Sequence, residues 1–165
     1  MRAIALLVAF LGGVVVLPQI ARAEDQTQLY VSYAKENHIA ANIKNECKLV
    51  EQLSQFIVEA SGGTVVAATG EPNTKKGSVL VVEITDSVSA GNAFIGHRKY
   101  TAIQGKLYKG GAVAGNFVAS RNSMGGAFAG YKGSCAVLGR TVKTLGSDVN
   151  GWLRAPSKDA SLGDS

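Results

Sequence analysis

The chain has 165 residues, of which 46% are hydrophobic and 18% charged, with 20 Gly, 3 Pro and 2 Cys. It has the length of a single domain, is too apolar and too weakly charged to be disordered, and shows no three-residue glycine period of the collagen kind. Two cysteines are too few for a disulfide-dense miniprotein or a four-cysteine zinc site.

The first 23 residues read as an address. Met1-Arg2, the apolar run from Ala3 to Leu17, Pro18 and the ending Ala21-Arg22-Ala23 are the parts of a secretory signal peptide, with cleavage expected after Ala23. The apolar run falls short of the ~20 residues that span a bilayer as a helix, and Pro18 breaks it. The segment therefore reads as a signal, not an anchor, and no Cys lies near the cleavage site to carry a lipid. Residues 24–156 are expected to form one domain with no stable membrane insertion, periplasmic or secreted, in a bacterial envelope. Cleavage removes Arg2 and Arg22, so Lys plus Arg falls from 17 to 15 against 12 Asp plus Glu, and the net charge from +5 to +3. That balance does not argue for nucleic acid.

Gln28–Tyr33 alternates and is rich in β-branched and aromatic residues, as a strand is. Residues 34–46, with Asn37, Asn42 and Asn45, read as a loop with at most a helical turn. From Cys47 the period changes: Leu49, Leu53, Phe56, Ile57 and Ala60 form the stripe of an amphipathic helix, with Asn45 as candidate N-cap and Ser61-Gly62-Gly63 as its end. Thr64–Ala68 is a second short strand, Gly70–Gly77 a polar loop of turn formers, and Ser78–Thr85 a strand apolar on both parities, expected to be covered on both faces. Asp86–Gly96 reads as a long connection.

His97–Tyr108 alternates, with Thr101, Ile103 and Leu107 on one side and Arg98, Tyr100, Gln104, Lys106 and Tyr108 on the other. Lys109-Gly110-Gly111 signals a hairpin turn and Ala112–Arg121 the returning strand. Asn122–Ser134 is glycine-rich. From Cys135, Leu138, Val142, Leu145, Val149 and Trp152 mark a second amphipathic helix, with Ser134 as candidate N-cap and Pro156 as stop. Gly139 and Gly146 weaken that helix by roughly 1 kcal/mol each relative to Ala. Residues 157–165 are expected to be a disordered tail.

The order β-α-β-β-β-β-α implies an α+β fold: one mainly antiparallel sheet of about five strands with two amphipathic helices on one face. Cys47 and Cys135 both fall at the starts of predicted helices. In an exported chain they most simply form one structural disulfide; two buried thiols or a redox pair are the alternatives, the latter without a Cys-x-x-Cys.

Val81–Thr85, Gly91–Phe94, Arg121–Gly126, Lys132–Cys135 and Trp152-Leu153 resemble a group of small, uncharacterised exported proteins of Gram-negative bacteria. Over residues 28–156 the element order is similar to the periplasmic domain of the curli secretion channel and the N-terminal domain of the Tol-system propeller protein. The resemblance implies an envelope-associated, protein-interacting α+β domain, and it brings no catalytic motif. A pore is not implied, since membrane-spanning hairpins are lacking.

No catalytic residues, metal site or cofactor are expected. There is no Gly-x-Ser-x-Gly elbow, and His38 and His97 are dispersed. His97 with Asp86 and Ser123 is a constellation on paper only. The segment from Met124 to Gly133, with Lys132 and Arg140 near it, invites a phosphate-binding reading but lacks both phosphate-loop spacings. It is apolar for a loop, which suggests a partner or a membrane surface. Candidate binding residues are Arg98, Tyr100, Lys106 and Tyr108 on one strand face, joined by Phe128 and Tyr131 from the glycine-rich loop. The expected role is a non-enzymatic periplasmic interaction module, an accessory to envelope assembly or stress response, whose partner is an envelope protein. A glycan or small-ligand binder using the same Tyr/Arg/Lys face, and an enzyme of unrecognised type with His97 and the glycine-rich loop at its site, are the alternatives.

Overall fold

A computed structural model of the chain describes residues 26–90, 98–123 and 133–164. The elements are β1 (Thr27–Tyr33), α1 (Ala41–Cys47), α2 (Leu49–Ala60), β2 (Val65–Ala67), β3 (Ser78–Ala90), β4 (Arg98–Lys109), β5 (Ala112–Ser123), α3 (Ser134–Leu153) and β6 (Ala160–Gly163). The class is α+β, with one six-stranded sheet ordered β2-β1-β3-β4-β5-β6. The long antiparallel pairings β3–β4 and β4–β5 hold its centre, and parallel pairings β1–β2, β1–β3 and β5–β6 flank them.

This corrects the expected count of five strands and two helices. The sixth strand comes from the stretch expected to be a disordered tail. Ala160–Gly163 carries no hydrophobic run of its own and pairs only because β5 offers it an edge. Arg121 on β5 makes a bidentate pair with Asp148 of α3 and reaches Asp164 just past β6, at 2.8 Å for each contact. The Asn122 N–H also donates to Asp164, at 2.8 Å.

The extra helix, α1, lies in the segment read as a loop. Its signal is the four-residue spacing of the buried Ile39, Ile43 and Cys47, masked by the asparagines between them. Lys48 takes a left-handed conformation (φ 46°) and separates α1 from α2, so Lys48, not Asn45, stands at the N-cap of α2. Gly133, not Ser134, stands at that of α3, and no side chain caps it. β3 continues through Ala90, where a connection was expected, because a bulge between Ile84 and Asp86 keeps it in register with β4.

Both helical stripes are buried. Leu53, Ile57, Leu138, Val142, Leu145 and Val149 are fully enclosed, Trp152 nearly so, and Phe56 packs at the margin. All of them lie on one face of the sheet, opposite Leu29, Leu80, Ile84, Ile103, Leu107 and Phe117. β3 is central but helix-covered on one face only; on the other, Val79 is buried between in-register neighbours Gln28 and Tyr108.

Three glycines make the packing possible. At Gly105 a Cβ would lie 2.3 Å from the Phe117 ring, so the missing side chain is the seat of that ring. Phe117 then meets Trp152 edge to face with centroids 4.8 Å apart, and Trp152 also closes over Gly115. At Gly146 of α3 a Cβ would lie 2.9 Å from Phe56 Cβ and 3.1 Å from its carbonyl carbon. The residue that weakens α3 as an isolated helix is thus the one that lets α2 approach it. Cys47, at the end of α1, and Cys135, in the first turn of α3, are joined by a disulfide with Cα atoms 4.8 Å apart.

Three outcomes follow from this packing. Thiol titration of unfolded, unreduced protein should find no free thiol, and reduction should lower stability by about 4–5 kcal/mol for the long loop released; two titratable thiols would show the bond absent. Gly146→Ala should destabilise by about 1 kcal/mol, because an overpacking cost of ~1–3 kcal/mol outweighs the ~1 kcal/mol gain in helix propensity. Gly151→Ala, where a Cβ meets nothing within 4 Å, should stabilise instead; chemical denaturation distinguishes the two. Finally, the Asn122 N–H, and then Arg121, hold the Asp164 carboxyl below its ordinary range. A depressed folded value means that the stabilisation is present at neutral pH and lost as pH falls through the acid range. Amide protection in Ala160–Gly163 should therefore fail on acidification before that of β3 and β4, and a uniform loss would remove Asp164 as the clasp.

Candidate functional site

Among the described residues the helices cover one face of the sheet and leave the other open. Period-two alternation along β4 puts Lys99, Thr101, Ile103, Gly105 and Leu107 under the helices and Tyr100, Ala102, Gln104, Lys106 and Tyr108 on the open face. Tyr100 and Tyr108 are half-buried there and Lys106 is exposed. Arg98 begins β4, its backbone paired with Ala90. Phe128 and Tyr131 lie outside the described residues, as does His97.

The most exposed large apolar side chains among the described residues are Val88 (38%), Val113 (41%) and Val118 (55%). Register places each of them on this face: Val88 opposite Tyr100, Val113 opposite Tyr108 and Val118 opposite Gln104. The charge here is mixed, since Gln104 donates to Glu83 at 2.8 Å across β3–β4. A face of this kind, with aliphatic and aromatic patches between isolated charges, suits contact with another surface better than chemistry on a small molecule.

At the far end of the same strands, on the helix side, stands a group of polar side chains. Lys99 is 4% exposed. Its Nζ donates to Ser89 Oγ and, at 3.2 Å, to Ser134 Oγ; Ser89 Oγ donates in turn to Ser134 Oγ at 2.8 Å. Beneath lies a second tier. Thr141 spends its hydroxyl proton on the Leu138 carbonyl at 2.7 Å, so Thr101 must donate to Thr141, at 2.8 Å, and Ser87 sits 3.4 Å from Thr101. Ser87 and Ser89 of β3, Asn42 and Glu46 of α1, His38 before it, and Gly133, Ser134 and Cys135 at the head of α3 line a cleft of about 540 Å³.

Sequence reasoning missed Lys99. The available signal was its parity: alternation in β4 puts it on the side of Thr101, Ile103 and Leu107, where a cation is out of place. Asp86 lies opposite Ala102 on the open face and Ser123 opposite Lys99 on β5, so nothing described gathers the paper constellation around His97. Among the described residues no cluster of three or more His, Cys, Asp or Glu side chains could hold a metal ion, and no helix is long and apolar enough to cross a membrane.

No family model and no curated protein matches the chain. Solved structures do. A hypothetical protein of Chlamydia trachomatis superposes with a TM-score of 0.52 at 10% identity, over 81% of this chain and 99% of its own. A protein of Xanthomonas campestris described as DUF330 gives a TM-score of 0.50 at 14% identity, over 82% and 88%. A minor lipoprotein of Acinetobacter baumannii gives 0.44 at 12%, over 80% and 94%. At such identities the first two show a shared fold and no more. The likeness to the curli and Tol domains is not shown by these matches.

Proposed function

We propose that the chain is a non-enzymatic interaction module of the bacterial envelope that docks a protein partner on the open face of its sheet. The observation that carries this reading is the convergence of Val88, Val113 and Val118 on the face that no described helix covers, interleaved with Tyr100, Lys106 and Tyr108. Aromatics among exposed aliphatics, with few charges at the centre, are the composition in which interfaces concentrate their binding energy. Exposed valines favour a protein surface over a glycan, which would be held by planar rings and hydrogen-bonding carboxylates. The envelope location is supported by the signal-like residues 1–23 and by the disulfide, which persists in oxidising compartments.

The test is capture from envelope extract by oxidised protein, with mass spectrometry of what is retained. Val118→Asp and Lys106→Glu alter exposed side chains, so thermal stability should stay within the ±0.5 kcal/mol typical of surface changes. Each should reduce recovery of the wild-type partner by about tenfold or more, the loss expected at a hot spot. Recovery unchanged in both variants but abolished by Lys143→Glu on α3 would place the interface on the helical side and overturn the reading.

A further inference from the structure

The helical layer carries a groove of about 410 Å³ between α2 and α3, on the other side of the sheet from the surface proposed for docking. The two helices run in the same direction: Gln52 lies over Gly139, Phe56 against Gly146, and Asn150 donates to the Ala60 carbonyl. Three cations line the groove, Lys48 from the elbow between α1 and α2 and Arg140 and Lys143 from α3, and all three are exposed. Among the described residues the one carboxylate on the lining is that of Glu46, in the last turn of α1, so the groove is net positive by two charges.

The fold does not account for this charge. Among the described residues none of the three cations is in an ion pair; the two ion pairs found are both made by Arg121. Arg140 and Lys143 are like-charged neighbours three residues apart on α3, an arrangement that disfavours the helix. On the facing side of the groove α2 presents Gln52 and Phe56, and the Lys143 ammonium stands 6.0 Å from the centre of the Phe56 ring. The carboxylates of α2 are engaged elsewhere: Glu51 lies within electrostatic reach of Tyr33 on β1, and Glu59 accepts from Gln55 at 2.7 Å. Lys48 is placed least favourably of all. Its backbone is left-handed, which suits glycine, and it stands at the start of α2, where the helix dipole repels a cation. Glycine there would relieve both; what lysine adds is a charge on the groove.

The floor defines what else the occupant must offer. Phe56, Gly139 and the Cys47–Cys135 disulfide make it apolar. Gln52 donates its amide N–H to the Cys47 carbonyl at 2.7 Å, which fixes the other end of the amide. Gln52 Oε1 is turned over Gly139, where a Cβ would lie 2.7 Å from it, and among the described residues no donor reaches it. We infer that the groove binds an acidic segment of a protein partner. Its carboxylates would meet Lys48, Arg140 and Lys143, an apolar side chain would rest on Phe56 and Gly139, and a backbone N–H would reach Gln52 Oε1. A phosphodiester headgroup offers acceptors alone and leaves the Gln52 oxygen unmet. The segment comes from another molecule. Outside the described residues the acids of this chain are Glu24 and Asp25, which precede β1 at the far end of α2 from Lys48. With the open face, the groove gives the module two docking surfaces on opposite sides of one sheet, and neither depends on the other.

The experiment titrates the oxidised full chain into a short fluorescent peptide alternating Asp and Phe, beside a control with Asn for every Asp, and reads anisotropy. The acidic peptide should bind about tenfold more tightly than the control. Lys143→Glu and Arg140→Glu should each weaken it by about fivefold, the effect of turning attraction into repulsion at an exposed pair. Glu46→Gln, which removes the opposing carboxylate, should tighten it by about twofold. Lys48→Gly should raise the melting temperature and still weaken the peptide, a combination that a lysine kept for the fold would not give. Lys106→Glu on the open face should leave the peptide unaffected, and Lys143→Glu should leave capture of the open-face partner unaffected, so either reading can fail without the other. Equal binding of the two peptides would overturn the inference. So would equal losses in Lys106→Glu and Lys143→Glu, because net charge alone would then be responsible. Retention by phosphatidylglycerol vesicles that Lys143→Glu abolishes, with no binding of the acidic peptide, would assign the groove to a membrane surface and overturn it. Self-association of the free chain that Lys143→Glu disperses would assign the groove to a second copy and overturn it as well.

Discussion

The burial of α3 is the constraint on which the rest of the molecule depends. This helix touches α1, α2 and the four strands from β3 to β6. It is held at every turn by a different kind of contact. The disulfide ties its first turn to the end of α1, and Thr141 meets Thr101 of the sheet at 2.8 Å. Gly146 admits the backbone of α2, Asp148 grips Arg121, and Trp152 closes against Phe117. The apolar stripe supplies most of the favourable free energy, since each fully buried Leu or Val contributes about 1.5–3 kcal/mol. The polar contacts add less in sum and instead decide where along the sheet the helix sits.

That placement produces two surfaces of opposite character. With every described helix on one side, the sheet keeps an open face on which Val79 is the buried apolar side chain and Val88, Val113 and Val118 stay exposed. On the helix side, the polar groups are drawn to the end where the disulfide pins α3 above the ends of β3 and β4. There the core changes from close-packed aliphatics to two tiers of hydroxyls and a lysine, all of them hydrogen-bonded.

A large part of the architecture was legible in the sequence. The two helical stripes, the strand alternation of β4 and the Gly110-Gly111 turn were plain because each is a local pattern whose period matches its element. The turn has both glycines at positive φ, 57° and 90°, as a two-residue hairpin demands. The side of β4 that carries Tyr100, Lys106 and Tyr108 was readable for the same reason. Residues such as Ile39 and Ile43 were harder to read, because a seven-residue helix offers only one repeat of its spacing and the asparagines around it read as turn formers.

The sequence by itself determined the class, the helix faces and the alternation of the central hairpin, because hydrophobic periodicity is a property of neighbours in the chain. Only the tertiary structure decided the rest. β6 is a strand because β5 has a free edge and Arg121 finds Asp164, residues 43 positions apart. Gly105, Gly115 and Gly146, which weaken strand or helix when judged locally, are points of close approach: Gly105 seats the Phe117 ring of the neighbouring strand, Gly115 lies under Trp152 and Gly146 against Phe56 of α2. Lys99 is ordinary as a letter in a strand and exceptional only once Ser89 and Ser134, 10 and 35 positions away, are folded around it. Pairings across such distances leave no period in the chain, and it is at such pairings that charge, hydroxyl and helix end are brought together.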